Sequence, residues 1–210
     1  MKTFPDACME PTRPGGPLGP DTWRQIGGLW PTGVPVAQSW LEIGAVLMTV
    51  QQHQVVRVLE IGTHRGGLAS LLAARTLFSW TPFEALTVEI NAALLAPKTR
   101  VDLASTTGLA LRLQDCFGDA FLAEAREFVA RPGLTLVYCD GGDKPREVLT
   151  FAPLLKPGDL IAAHDYAPGK PGHGPGAEIT DADLVGLGPD FQRLQPWWLE
   201  SCSICLLTRQ

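Results

Sequence analysis

Five short apolar runs recur along the chain, VVRVLEIG (55–62), ALTVEI (85–90), LALRLQD (109–115), LTLVYCD (134–140) and GDLIAAHD (158–165). Helix-prone stretches separate them: GLASLLAARTLFSW, NAALLAPKTRVDLAS with a break at Pro97, GDAFLAEAREFVA, and a segment from Pro145 to about Leu155. Runs rich in β-branched residues that alternate with helices give βαβ units, whose strands must lie parallel. The C-terminal runs FQRLQPWW and SCSICLLT follow a short helix near 180–186 and read as a hairpin closing the sheet. The expected fold is α/β, a doubly wound, mostly parallel seven-stranded sheet with an antiparallel end.

At 210 residues and 45 % hydrophobic, the chain suits one domain with a sizeable core. Residues 1–35 carry seven prolines and several glycines, which predicts an irregular N-terminal arm ahead of the domain at 36–210. Helical spacing of Val36, Trp40, Ile43 and Leu47 starts the domain with a helix from Pro35 to about Gln52.

A net charge of −5 argues against a nucleic-acid or anionic-membrane surface and favours a small-molecule partner, leaving a homo-oligomer open. The start MKTFPDACMEPTRPGG lacks the apolar core of a signal peptide, and no apolar run reaches the roughly 18 residues of a membrane span, so a cytoplasmic location is expected. Five scattered cysteines suit reduced thiols. Cys202-x-x-Cys205 falls in a run read as a strand, where positions three apart face opposite sides, and is taken as structural.

In a doubly wound sheet, ligands bind outside the carboxyl ends of the strands, where strand order reverses. There the five runs present Glu60, Glu89, Asp115, Asp140 and the pair His164-Asp165. One acid after a strand is ordinary turn chemistry; five in register suggest a site. A dinucleotide fold would need G-x-G-x-x-G to bring a pyrophosphate to a helix N-terminus. The glycines here read Gly62-x-x-x-Gly66-Gly67, with Glu60 ahead of them. An acid in that place disfavours a phosphate and suits a cationic amino group. Glu89 suits two ribose hydroxyls and Asp115 an adenine amino group. The implied ligand is adenosine carrying an amino acid, without phosphate.

The combination E-x-G-x-x-x-G, an acid ending the second run, D-C-F-G-D-A, D-G-G-D-K and L-L-K-P-G-D-L resembles the class I S-adenosylmethionine-dependent methyltransferases over roughly residues 36–210. The resemblance implies a Rossmann-like fold and S-adenosylmethionine as cofactor. Glu60, Gly62 and Gly66 would hold its methionine part, Glu89 its ribose, and Asp115 with Cys116 its adenine, and Thr63 and His64 of the first loop would also contact the cofactor. The ends of the fourth and fifth runs resemble the metal-dependent small-molecule O-methyltransferases and the cephalosporin hydroxylase and macrolide-sugar O-methyltransferase relatives. This implies a divalent metal on Asp140 and Asp165, with His164 standing where those families place a carboxylate or amide. An imidazole ligand would favour Mn, Fe or Zn over Mg. A Lys or His three residues after the first acid serves such enzymes as base; Asp143 stands there, and Lys144 one place later. Asp140, Asp143 and Lys144 are thus the catalytic candidates, acting on a hydroxyl of a small acceptor. A nicotinamide-dependent oxidoreductase, disfavoured by the glycine spacing and Glu60, and a cofactor-binding protein without catalysis are the alternatives.

Three bland readings stand beside these. His64 suits an exposed loop as well as a ligand contact. Consecutive Trp197 and Trp198, if on a strand, face opposite ways. The Gly/Pro-rich loop 166–177, with His173 in it, reads either as a lid over the site or as an idle surface loop.

Overall fold

A computed structural model describes residues 38–78, 82–168 and 178–210. The chain runs α1 (Trp40–Gln52), β1 (Arg57–Ile61), α2 (Gly67–Phe78), β2 (Glu84–Glu89), α3 (Pro97–Ser105), β3 (Leu109–Leu113), α4 (Asp119–Ala130), β4 (Thr135–Cys139), α5 (Lys144–Phe151), β5 (Leu160–His164), α6 (Asp181–Leu184), β6 (Phe191–Leu194) and β7 (Ile204–Arg209). The seven strands form one sheet in the order β3-β2-β1-β4-β5-β7-β6. β1 to β5 pair in parallel, and β7 is antiparallel to both β5 and β6. The doubly wound sheet with an antiparallel end is therefore present as expected.

Side chains alternate along each strand, so each strand feeds two cores. Val58, Leu136, Tyr138 and Ala162 pack with Val46 and Val50 of α1, Leu68 and Leu72 of α2 and Leu103 of α3. Their neighbours Leu59, Val137, Cys139 and Ile161 pack on the other face with Phe121 and Phe128 of α4 and Val148 and Phe151 of α5. β1 and β4 are neighbours whose crossovers leave in opposite directions, which opens a crevice at their carboxyl ends.

Local chemistry sets the ends of the elements. Ser39 and Glu42 form a capping box that starts α1 at Trp40, later than the expected helix; Pro35 and Val36 lie outside the described residues. Pro97 is at the first turn of α3, after a 3-10 turn at Ala92–Leu94. β3 stops at Leu113, two residues short of the expected strand, because Asp115 Oδ1 accepts the Phe117 N–H at 2.9 Å in a local turn.

The expected strand through Trp197 and Trp198 is not formed. Pro196 has no N–H for a strand ladder, and Trp197–Leu199 make a 3-10 turn. The two rings meet edge to face at 5.8 Å, and Trp198 Nε1 donates to Thr49 Oγ1 at 3.2 Å while Trp197 is 70 % exposed. Cys202 precedes β7 and Cys205 is buried within it, both as free thiols. The arm at 1–35 and most of the loop at 166–177, including His173, lie outside the described residues. Among the described residues, no helix is long and apolar enough to cross a membrane.

Candidate active site

The carboxyl edge opens into a cleft of about 890 Å3 at the β1/β4 crevice. Gly62, His64, Glu89, Asp115, Cys116, Asp140, Asp143, Lys144, His164 and Asp165 all line it. Ten of the thirteen site residues read from the sequence thus come together. Glu60, Thr63 and Gly66 stand behind the lining instead.

Gly62 follows β1 directly. Its φ is +92°, and a Cβ there would lie 2.4 Å from the Asp140 carbonyl oxygen. Only glycine permits that approach of the first loop to the loop after β4. Gly66 (φ +87°) serves packing instead: a Cβ would meet Thr99, Leu103 and Leu95, so its bare face lets α3 close against the loop. Glu60 is 1 % exposed, and its Oε2 accepts from Thr87 Oγ1 at 2.5 Å; the Thr87 oxygen is also 2.5 Å from Thr63 Oγ1. Burial, with the Asp140 and Glu89 charges nearby, pushes the Glu60 carboxyl up to about 8 against the pull of the Thr87 hydroxyl. A buried, neutral acid of this kind braces β1 to β2 and offers the cleft no charge.

Glu89, the last residue of β2, has one oxygen on the His64 N–H at 2.7 Å and the other on the Asn91 N–H at 2.8 Å. Its carboxylate therefore clamps the first loop while facing the cleft. His64 itself has φ +49°, and its Nδ1 is buried without a hydrogen-bond partner. At the far end, Arg146 stacks on the Phe117 ring at 3.7 Å, beside Asp115 and Cys116. Burial and the adjacent Glu147 and Asp115 push the Cys116 thiol up to about 12, so it stays protonated.

The other half of the cleft is a charge cluster. His164 Nδ1 lies 3.2 Å from both Asp140 Oδ1 and Asp165 Oδ2, and its Nε2 lies 3.1 Å from Glu42 Oε1. That last contact is too far off the N–H axis to count as a hydrogen bond. Burial alone would lower the His164 pKa, but Asp140, Asp165 and Glu42 outweigh it and push the imidazole up to about 12. Against the upward effect of its own burial, His164 and Lys144 hold Asp165 down to about 2. Asp165 has φ +55°, a left-handed backbone in which a non-glycine residue is strained. Asp140 keeps its second oxygen on Gln38 Nε2. Asp140, His164 and Asp165 each offer a ligand atom, all within 4.8 Å of one another.

Asp143 is the N-cap of α5: its Oδ1 accepts the Arg146 N–H at 3.2 Å. Lys144, not Asp143, is turned into the acids, with Nζ 2.6 Å from Glu178 Oε2 and 3.2 Å from Asp165 Oδ2. The loop between β4 and α5 is held by Glu147, whose carboxylate accepts the Gly141 and Asp143 N–H groups, both at 3.1 Å. Four participants escaped the sequence reading: Gln38, Glu42, Glu147 and Glu178. Glu42 had a visible signal, the S-x-x-E box, but that pattern points to a helix cap and not to a site.

No protein-family model matches the sequence, and no curated protein does. Solved structures do. An O-methyltransferase from Bacillus cereus in complex with SAH aligns at 17 % identity and a TM-score of 0.55, over 88 % of each chain. The apo-structure of CmcI aligns at 16 % and 0.63, over 86 % of this chain and 75 % of that one. Cofactor-bound Rv0187 from MTB aligns at 19 % and 0.53, over 84 % and 83 %. At these identities the likeness establishes the fold, a Rossmann-like α/β sheet that this chain shares with the Bacillus cereus O-methyltransferase.

Proposed function

We propose that the protein transfers a methyl group from S-adenosylmethionine to a hydroxyl of a small molecule. The observation that carries this reading is Glu89: a carboxylate at the end of β2, aimed into the cleft and tied to the first loop. It is suited to accept hydrogen bonds from the two ribose hydroxyls of an adenosine. Gly62 and His64 then border the methionine part, and Asp115, Cys116 and Phe117 the adenine. The domain responsible is the one at 36–210, with the arm at 1–35 ahead of it.

The sulfonium methyl arrives activated, so the chain's task is to position the acceptor and take its proton. Asp143 lines the cleft and gives Oδ1 to the helix cap, which leaves Oδ2 to accept that proton. The charges of His164 and Lys144 would stabilise the oxyanion as it forms.

The cluster also fits a divalent metal. Ligand atoms about 2.1 Å from one ion lie at most about 4.2 Å apart, which a small adjustment of Asp140, His164 and Asp165 satisfies. The ring nitrogen on the far side of His164 faces Glu42, as the second nitrogen of a ligating histidine commonly faces a carboxylate. A metal bound there would supply Lewis acidity, lowering the pKa of the acceptor hydroxyl.

Calorimetry with S-adenosylmethionine and its demethylated product is the first test, followed by a methyl-transfer screen on catechols, sugars and small hydroxylated metabolites. Binding of a nicotinamide dinucleotide and of neither sulfur compound would overturn the reading in favour of an oxidoreductase. Binding without turnover of any acceptor would leave a cofactor-binding protein without catalysis. Full turnover after EDTA treatment, with Asp165→Ala also active, would remove the metal from the reaction.

A further inference from the structure

The acid cluster already contains a cation. Lys144 is 4 % exposed, and its Nζ touches four oxygens: Glu178 Oε2 at 2.6 Å, the Gly141 carbonyl at 3.0 Å, Asp165 Oδ2 at 3.2 Å and Asp140 Oδ1 at 3.8 Å. The two aspartate oxygens are the same atoms that face His164 Nδ1. The second oxygen of Asp140 is held by Gln38. The carboxylate oxygens placed to share an ion with His164 Nδ1 are therefore ones that the ammonium also faces.

Glu178 differs from the two aspartates. It makes the shortest contact to Lys144 but does not belong to the Asp140–His164–Asp165 triad. With the Gly141 carbonyl it offers the ammonium a resting place beside the triad.

We infer that Lys144 is a built-in competitor of the divalent ion. Its ammonium bridges Asp140 and Asp165 when no ion is bound, and withdraws to Glu178 and the Gly141 carbonyl when one binds. This rests on the metal reading given above. An ion about 2.1 Å from Asp165 Oδ2 would stand at most about 5.3 Å from an ammonium kept 3.2 Å from the same oxygen. At that range a divalent and a monovalent cation repel, and the 4 % exposure of Lys144 limits the screening of its charge by water. Lys144 thus sets the metal affinity below what the three ligands alone would give. Glu178 sets how far below, by holding the displaced charge.

The test is Mn2+ binding to the full chain, followed by the electron paramagnetic resonance of free Mn2+ and by calorimetry, without acceptor or turnover. K144M should bind Mn2+ about tenfold tighter or more, as expected for removing a like charge at this distance. E178Q should bind it more weakly, because the ammonium then rests wholly on the aspartates. In the K144M background, E178Q should have no effect. D165N should abolish binding in every background. If K144M, folded by circular dichroism, binds Mn2+ no more tightly than the parent while D165N binds none, the competition is refuted and the metal site stands. Equal affinities of E178Q and the parent refute the role of Glu178. Failure of the parent and of K144M alike to bind Mn2+ overturns the metal site as well.

Discussion

Glu89→Gln separates two duties of one carboxylate. In the native site each oxygen accepts a backbone N–H, from His64 at 2.7 Å and from Asn91 at 2.8 Å. Glutamine keeps the volume but replaces one oxygen with an NH2 group. Both neighbours are donors, so neither orientation of the amide relieves the clash, and one backbone N–H loses its acceptor. Leaving such a group unpaired costs about 1–3 kcal/mol of stability. On the ligand side, two charge-assisted ribose contacts are weakened or lost, about 1.5–3 kcal/mol. That corresponds to a fall in S-adenosylmethionine affinity of roughly 10- to 150-fold. Glu89→Ala should weaken binding to a similar extent. Urea unfolding reads the first effect and calorimetry the second. If both variants lose stability yet bind the cofactor within about threefold of the parent, Glu89 is only a clamp on the first loop, and the ribose assignment falls.

Gly62→Ala should destabilise by about 2–4 kcal/mol, from a disfavoured left-handed backbone and an overpacked contact with the Asp140 carbonyl; urea unfolding at wild-type stability would contradict the close approach described. Glu42→Gln should weaken Mn2+ binding by about 10- to 100-fold, through loss of the carboxylate charge that faces the far nitrogen of His164, while S-adenosylmethionine affinity stays unchanged in calorimetry. Glu60 carries its raised pKa only when folded, so the unfolded chain ionises first. Stability should therefore fall as pH rises from about 4.5 to about 8. In Glu60→Gln that part of the decline should vanish, and a pH series of unfolding curves that matches the parent would refute the buried neutral carboxyl.

The fold was legible because its signals are local. Short β-branched runs, helix-prone segments between them and a proline at the start of α3 each speak for themselves. What the sequence leaves unread about the site is of two physical kinds. Glu60 reads in the sequence as one of the acids at the strand ends, and the structure sets it within β1, paired in register with Thr87 and Tyr138 and buried. Position near a strand end does not reveal which side chains the next loop covers.

Asp143 and Lys144 illustrate the other kind. The stretch D-K-P-R carries an N-cap signature, an aspartate followed by a proline in the first turn, and that signature assigns the Asp143 oxygen to the helix. It also turns the next residue inward. Spacing counted from Asp140 alone could not see this. Gln38 reaches Asp140 from 102 positions away in the chain, Glu178 reaches Lys144 from 34, and Glu42 joins through the ring of His164. No pattern within a short window encodes such meetings.

The contact between Gly62 and the Asp140 carbonyl bears on how such a chain can change over time. It joins the first loop to the charged side of the cleft, backbone against backbone, with no side chain between them to yield. The two loops therefore cannot drift apart by gradual substitution, and on the proposed function the distance from the donor sulfur to the acids would be inherited as a constant. On the same reading, novelty in the acceptor would have to enter elsewhere, such as around β6. There the antiparallel end of the sheet can be lengthened, shortened or redecorated without moving either loop.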